Sequence, residues 1–493
     1  MRANGKAGLL AAVLAVTILP AATPAEAAER AAPTDVIVHL FQWPWTSVAN
    51  ECVNFLGPKG FAAVQVSPPQ EHVVLGVSEL ASEPFSTGAG GSGYPWWQDY
   101  QPTSYQLTSR RGDRAAFANM VATCHDAGVR IYVDAVINHM AGGTSTGPGS
   151  GGSGYGHYDY PAVPYGGNDF HHCGRNGNDD IANWTDQWEV RNCELVDLAD
   201  LATDTPYVRE KVTGYLNDLI SLGVDGFRVD AAKHVPTEDL QAIYGALDGD
   251  PYVYQEVIEG GAGEISPTEY TGLGDVTEFR YGDLVSAAVR DGDLVRAARV
   301  ADSMLLPSDQ AIAFVDNHDT QRNSRAVLSY KDGSNYAIAE AFMLAWPYGH
   351  AQVMSSFAFD GADQGPPAAA DGTTNAVDCA AGWVCEHRWR TTANLVGFRN
   401  EAWGTDVTNW WTNGSSQVAF GRGDKGFVAF NRAGTPLEAT FQTSLPAGGY
   451  CDVAAGDPGD GACPGNQVGA DGKVTATVPA NGVFALHVGA RMS

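Results

Sequence analysis

A closed barrel of eight parallel strands, each leading into a helix, with a domain inserted after the third strand and an all-β domain at the C-terminus, is the fold the sequence predicts. Three observations predict it. Eight short β-rich runs alternate with helical patterns; the stretch between the third and fourth runs is far longer than one helix needs; and helical periodicity stops near Glu401. Alternation of strand and helix argues for a parallel sheet covered on both faces, and eight units favour closure over an open doubly wound sheet, the alternative.

The elements follow in order. Arg2 and Lys6 precede an apolar run at 7–19, and Ala25, Glu26 and Ala27 form a small-x-small cleavage site, so residues 1–27 read as a secretory signal. No later run approaches the ~18 apolar residues of a membrane span, and a secreted, extracellular protein is expected. The β-rich runs lie at 36–41, 63–67, 130–136, 226–230, 251–257, 276–279, 311–315 and 352–357. The first three fall in a first barrel part, 28–137. Between 138 and 204 comes a Gly/Ser-rich tract, then aromatic, Asn and Asp residues with Cys173 and Cys193, which fits an inserted domain better than one structureless loop. The second barrel part, 205–400, opens on the clearest helix: Thr205 as N-cap, Pro206 in the first turn, apolar Val208, Val212, Tyr215, Leu216, Leu219 and Ile220, and Gly223 past its end. Further helical patterns cover 114–127 and 336–346. From 401 to 493, alternating segments at 417–420, 426–430, 437–441 and 474–478 separated by turn clusters indicate a separate all-β domain.

Composition bounds the function. The 493 residues are 44% hydrophobic, ample for a large core, and 29 Lys and Arg against 57 Asp and Glu leave a formal charge of −28. A field of that sign repels nucleic-acid phosphates and anionic lipid, which excludes both as partners. Eight cysteines in an exported chain suggest disulfides. Cys379 with Cys385 and Cys451 with Cys463 would close short loops; Cys52, Cys124, Cys173 and Cys193 leave several pairings open. No CxxC spacing suggests zinc.

The chemistry concentrates at strand ends. The third run leads into Asn138 and His139, the fourth holds Arg228 and Asp230, the fifth delivers Glu256, and the seventh leads into Asp316, Asn317, His318 and Asp319. In a parallel barrel these ends open on one face, so Asp230, Glu256 and Asp319 converge despite their distance in sequence. Arg228 and Asp230, two apart on a strand, share a face, and a carboxylate paired in this way suits a nucleophile. A second carboxyl in a drier setting would keep its proton and act as acid, the two-carboxylate logic of glycosidic cleavage. Spacing does not say which acid plays which part. Trp96, Trp97 and Tyr100, with Gln101 beside them, follow a Gly-rich stretch, and adjacent Trp residues of an extended chain cannot both face one core, so a platform for sugar rings is the sharper reading. Gly143-Thr-Ser-Thr-Gly147 matches a nucleophile elbow, but it lies in a flexible loop without the strand and helix that motif needs.

Four motifs in order, Asp134-Ala-Val-Ile-Asn-His139, Gly226-Phe-Arg-Val-Asp-Ala-Ala-Lys-His234, Gln255-Glu-Val-Ile258 and Phe314-Val-Asp-Asn-His-Asp319, resemble those of the α-amylase family of glycoside hydrolases. Trp96-Trp-Gln-Asp-Tyr-Gln-Pro102, Trp346-Pro-Tyr-Gly349 and Gly421-Arg-Gly-Asp-Lys-Gly426 look most like segments of the animal-type secreted members. The resemblance implies a (β/α)8 TIM barrel, a calcium-bearing domain after the third strand and a C-terminal Greek-key β-sandwich. It implies retaining, endo-acting hydrolysis of α-1,4-glucosidic bonds in starch, glycogen and maltooligosaccharides, by a chain expected to be a monomer. By that likeness Asp230 is the nucleophile, Glu256 the general acid/base, and Asp319 the residue that orients the distorted sugar. His139, Arg228 and His318 would contact the same sugar, Tyr100 would stack beneath it, Trp96, Trp97 and Gln101 would lie along the cleft, and Lys233 with His234 on the leaving-group side. Calcium would take side-chain oxygens of Asn138 and Asp200 and backbone carbonyls of Arg191 and His234. The likeness also implies disulfides Cys52–Cys124, Cys173–Cys193, Cys379–Cys385 and Cys451–Cys463. Two departures stand out. Gln352 occupies the place of an arginine that helps hold chloride in animal relatives, and an amide loses most of the anion's attraction, so activity independent of chloride is expected. After Asp319, Thr320-Gln-Arg-Asn-Ser-Arg325 lacks their Gly-rich loop. A relative transferring glucan to another sugar would carry the same motifs, whereas a non-catalytic glucan-binding protein would not need all three acids.

Overall fold

The computed structural model describes residues 35–76, 93–143, 146–323, 325–458 and 463–492. The signal at 1–27 and Ser145 of the elbow match lie outside them. Among the described residues no helix is long and apolar enough to cross a membrane.

Eight strands close a parallel barrel: β1 (Ile37–Leu40), β2 (Ala63–Val66), β3 (Arg130–Ala135), β4 (Gly226–Val229), β5 (Tyr252–Gln255), β6 (Asp275–Thr277), β7 (Ala311–Ala313) and β8 (His350–Ser355). Each pairs with its sequence neighbour and β8 returns to β1, with Ile37 opposite Gln352 and Leu40 opposite Ser355. All eight predicted runs are strands, and closure decides against the open sheet. The strands are almost wholly buried because helices cover the outside. These are α1 (Trp45–Glu51), α2 (Arg114–Asp126), α3 (Pro206–Ser221), α4 (Thr237–Tyr244), α5 (Phe279–Asp291), α6 (Ser334–Ala345) and α7 (Arg390–Glu401). The crossover from β5 to β6 carries only a 3-10 turn, Pro267–Glu269. Helix α3 begins as its sequence indicates: the Thr205 hydroxyl accepts from the Val208 N–H, and Val208, Val212, Tyr215, Leu216 and Leu219 are buried.

Two layers fill the barrel. Ile37, Ala63, Tyr132, Tyr254 and Ile312 form an apolar plug. Two residues further along β1, β2 and β3, His39, Gln65 and Asp134 form a buried polar layer, joined by Arg228 of β4. Gly226 starts β4 where a Cβ would meet the Tyr252 carbonyl oxygen at 2.4 Å, so no larger residue fits between β3 and β5.

Residues 138–204 pair His139–Gly142 antiparallel with Leu198–Asp200, carry a short helix at Gln187–Asn192, and are closed by Cys173–Cys193. The other disulfides are Cys52–Cys124, Cys379–Cys385 and Cys451–Cys463, so all eight cysteines pair as the family likeness implies. The C-terminal part has a four-stranded antiparallel sheet, β9 (Val407–Thr412), β10 (Gln417–Arg422), β11 (Gly426–Asn431) and β16 (Gly482–His487). Two ribbons join it: β12 (Leu437–Gln442) with β15 (Lys473–Val478), and β13 (Gly448–Cys451) with β14 (Gly465–Val468). Phe427, Ala429, Phe484 and Leu486 face a core of their own, while Phe420 and Phe430 pack against Phe342 of α6, which seats this part on the barrel.

Candidate active site

At the C-terminal mouth of the barrel one cation organises the site. Arg228, buried on β4, donates from Nη1 to Oδ1 of Asp134 at 2.7 Å and to Oδ1 of Asp230 at 2.5 Å, while its Nη2 stands 2.6 Å from Oε1 of Glu256. The planar fork presents one nitrogen to Asp134 and Asp230 and the other to Glu256, and so holds the acids near one charge. Asp134 is held on its other oxygen by the Tyr100 hydroxyl at 2.9 Å and the Gln65 amide at 3.2 Å. Just past Asp230 the chain turns through Ala231 in the left-handed region, φ 49°, which aims the Ala231 N–H at Oε2 of Glu256, 3.0 Å away. A non-glycine residue in that conformation is strain held by the surrounding fold.

Burial dominates the electrostatics. It pushes the Glu256 carboxyl up to about 8, against the lowering pull of Arg228 and with the repulsion of Asp230 and Asp319 adding to it. Asp134 is raised to about 6 for the same first reason, and Asp319 is raised by burial against Arg228 and Arg322. A carboxyl that keeps its proton beside a carboxylate paired to Arg228 is the division of labour an acid and a nucleophile need.

Aromatic rings wall one side. Tyr100 and His318 stack with centroids 5.1 Å apart and 8° between planes, and Trp96 meets both edge-on at 5.9 and 5.5 Å. Residues 96–100 form a 3-10 turn, not an extended chain; both Trp96 and Trp97 are half-buried, and Trp96 donates to the Ala362 carbonyl at 2.9 Å. Gln101 accepts from the Gly142 N–H at 3.2 Å and so ties this turn to the insert. The His139 ring meets the Tyr100 carbonyl at 3.0 Å. Opposite lie Lys233, 3.1 Å from Glu264, and His234, whose ring meets the Val190 carbonyl at 3.0 Å.

Three residues without a role in the sequence reading belong here. Asp134, present in the first motif, is the buried third acid on Arg228. Trp184 of the insert, half-exposed, places its ring 5.9 Å from His234 and 5.6 Å from the Lys233 ammonium. Arg322 lies over Phe359, Phe357 and Phe41 at 4.0, 4.9 and 5.2 Å and donates to the His318 carbonyl at 2.8 Å, bracing the segment that carries Asp319. Its position three residues beyond Asp319 is the only trace of this in sequence.

A barrel mouth with three converging acids and an aromatic wall accords with the comparisons. Residues 84–255 match the α-amylase catalytic domain and residues 410–489 the α-amylase C-terminal all-β domain. The α-amylase of Thermomonospora curvata is 52% identical over 98% of this chain and 78% of its own length. The chain belongs to the α-amylase family. It is a glycoside hydrolase by that membership. The α-amylase of the beetle Tribolium castaneum is 46% identical over 98% of this chain and 99% of its own. Among solved structures, wild-type α-amylase I of the earthworm Eisenia fetida superposes with a TM-score of 0.86 at 40% identity, covering 92% of this chain and 98% of the earthworm chain. A variant of that earthworm enzyme was solved with maltohexaose.

The four positions that the family likeness assigns to calcium lie in one neighbourhood. His139 pairs with Asp200 across the insert's ribbon, the Leu201 N–H donates to the Asn138 carbonyl at 3.0 Å, and the His234 ring meets the residue before Arg191. Asp200 is 2% exposed, with His171 Nδ1 at 2.7 Å, and burial pushes its carboxyl up to about 7. A buried carboxylate, an amide and two carbonyls are an all-oxygen set that fits a hard divalent cation.

Proposed function

We propose that this amylase is secreted and cleaves internal α-1,4-glucosidic bonds of starch, glycogen and maltooligosaccharides with retention of configuration. The observation that carries the reading is the fork of Arg228 between Asp230 and Glu256. One guanidinium within 2.6 Å of both carboxyls keeps the pair close together, as direct attack in retaining cleavage requires, whereas inverting enzymes space their pair to admit a water. In this reading Asp230 attacks the anomeric carbon, and Glu256 protonates the departing glycosidic oxygen. Glu256, now ionised, then takes a proton from the water that opens the glycosyl–Asp230 bond. Asp319 orients the distorted ring, and His139, Arg228 and His318 bind its hydroxyls. Tyr100 stacks beneath it; Trp96, Trp97 and Gln101 extend the cleft; Lys233, His234 and Trp184 hold the leaving chain.

Residues 28–137 and 205–400 form the catalytic barrel, 138–204 the insert, and 401–493 the C-terminal domain. Asn138, Asp200 and the carbonyls of Arg191 and His234 would hold a calcium ion that pins insert to barrel, a structural task outside the bond-breaking steps.

The test is reducing-end release from soluble starch, with a β-1,4-glucan as control and Asp230→Asn alongside. Release from starch alone, abolished in the variant and yielding the α-anomer first, is expected. Release of the β-anomer would overturn retention, and products longer than the substrate would mean transfer.

A further inference from the structure

At the end of the barrel opposite the carboxylates, a cavity of about 460 Å³ opens at the seam with the C-terminal domain. Its walls come from the turns entering β7 and β8, which supply Asp309 and His350, and from the link after α7, which supplies Trp403, Thr405 and Asp406. The volume is that of a small-ligand site.

Its chemistry narrows the ligand. The Trp403 indole, half-buried, lies 24° from parallel to the His350 imidazole with centroids 5.9 Å apart, and the Arg399 guanidinium stands 5.6 Å from the indole centroid. Arg399 is fixed in turn by the Asp35 carboxylate at 2.7 Å and by the Met343 and Trp346 carbonyls, both at 3.2 Å. The indole is therefore seated before any ligand arrives, which lowers the ordering cost of binding. The other cation in the wall, Arg422, donates to the carbonyls of Thr405, Ala345 and Ala402 at 3.1, 2.6 and 3.1 Å. With both guanidinium groups committed, and exposed carboxylates at Asp309 and Asp406, the cavity does not suit a phosphate or another anion. An aromatic platform flanked by acceptors suits a neutral, hydroxyl-rich ring: the flat C–H face covers the indole while the hydroxyls donate to the carboxylates.

We infer that this cavity is a second, non-catalytic α-glucan site that holds a chain of the polymer at the Trp403–Asp406 segment while the barrel mouth cleaves elsewhere. The inference rests on the α-glucan reading above. Its effect belongs on insoluble or long substrate, because the two sites face opposite ends of the barrel and a short oligosaccharide cannot reach both.

The test compares full-length native protein, Trp403→Ala and Trp403→Tyr for adsorption to granular starch and for hydrolysis of soluble maltopentaose. Expected is at least fivefold weaker adsorption for Trp403→Ala, near-native adsorption for Trp403→Tyr, and kcat/KM on maltopentaose within twofold of native for both. Equal adsorption by all three overturns the site, as does an equal loss in the alanine and tyrosine variants. Native protein inactive on maltopentaose overturns the α-glucan reading itself, which separates the two failures.

Discussion

The Arg228 guanidinium stands 2.6 Å from a carboxylate oxygen of Glu256, yet burial still pushes that carboxyl up to about 8. If Glu256 gives its proton to the leaving group, activity needs the protonated form, so kcat/KM should fall as pH rises through about 8. A glutamate near its usual value of about 4.3 would already have lost the proton. Glu256→Gln keeps the size and cannot transfer a proton, so kcat should drop by ~10²–10⁴ and the basic limb should vanish. A pH–rate profile on maltopentaose checks this, and an unchanged limb in the variant would reassign it to another group.

How much of this was legible in sequence follows from what carries each signal. The barrel strands are short apolar runs bounded by turns, and Thr205 with Pro206 marks a helix start through local hydrogen bonding, so both could be read. The convergence of Asp230, Glu256 and Asp319 needed only the rule that parallel strands end on one face. Arg322 could not be found in this way. Its cage is built from Phe41, Phe357 and Phe359, which meet only when β8 closes on β1. Trp96 and Trp97 stand in a 3-10 turn rather than the extended backbone their sequence suggests, because that turn answers to tertiary contacts and not to periodicity.

Gln352 sits at the base of the site with its amide donating to Oε1 of Gln65 at 2.6 Å and to the Tyr254 hydroxyl at 3.2 Å. The Gln65 amide in turn reaches Asp134, so the layer beneath Arg228 is a chain of neutral groups ending on an anion. Asn317, past the end of β7, spends its side-chain oxygen on the N–H groups of Asp319 and Thr320 at 3.1 and 2.8 Å. Without a second cation, an anion there would lack most of its attraction. Dialysis into chloride-free buffer is therefore expected to leave kcat within twofold, and a tenfold loss restored by chloride would refute it.

Behind the seventh strand, α6 carries Glu340, 1% exposed, with the Tyr336 hydroxyl one helical turn away beside its carboxyl. Burial and the nearby Asp316 and Glu386 raise its pKa well above the usual range. The unfolded chain releases this proton near pH 4.3 and the folded one only much higher, so across that window the fold binds the extra proton and loses stability as pH rises. Glu340→Gln removes the titration. Its melting temperature should match native near pH 4 and exceed it at pH 8, with some slope left by Asp316 and Glu386, raised to about 8 and 7. Parallel native and variant curves across that range would contradict it.

Asp200 is a buried acid held by His171 and repelled by Glu194, and its strand pairs with the segment that leaves β3. Neutralising such a carboxylate with a cation shared by Asn138, Arg191 and His234 would tie the ribbon of the insert to the barrel wall. Free calcium a hundredfold above its dissociation constant would add about 2.7 kcal/mol to folding. Excess chelator should then lower the melting temperature by several degrees, reversibly on adding calcium back. In Asp200→Ala the melting temperature should start low and ignore both additions, since the charged ligand is gone. A native melting curve unmoved by chelator would remove calcium from the account, leaving Asp200 and His171 as a plain buried pair.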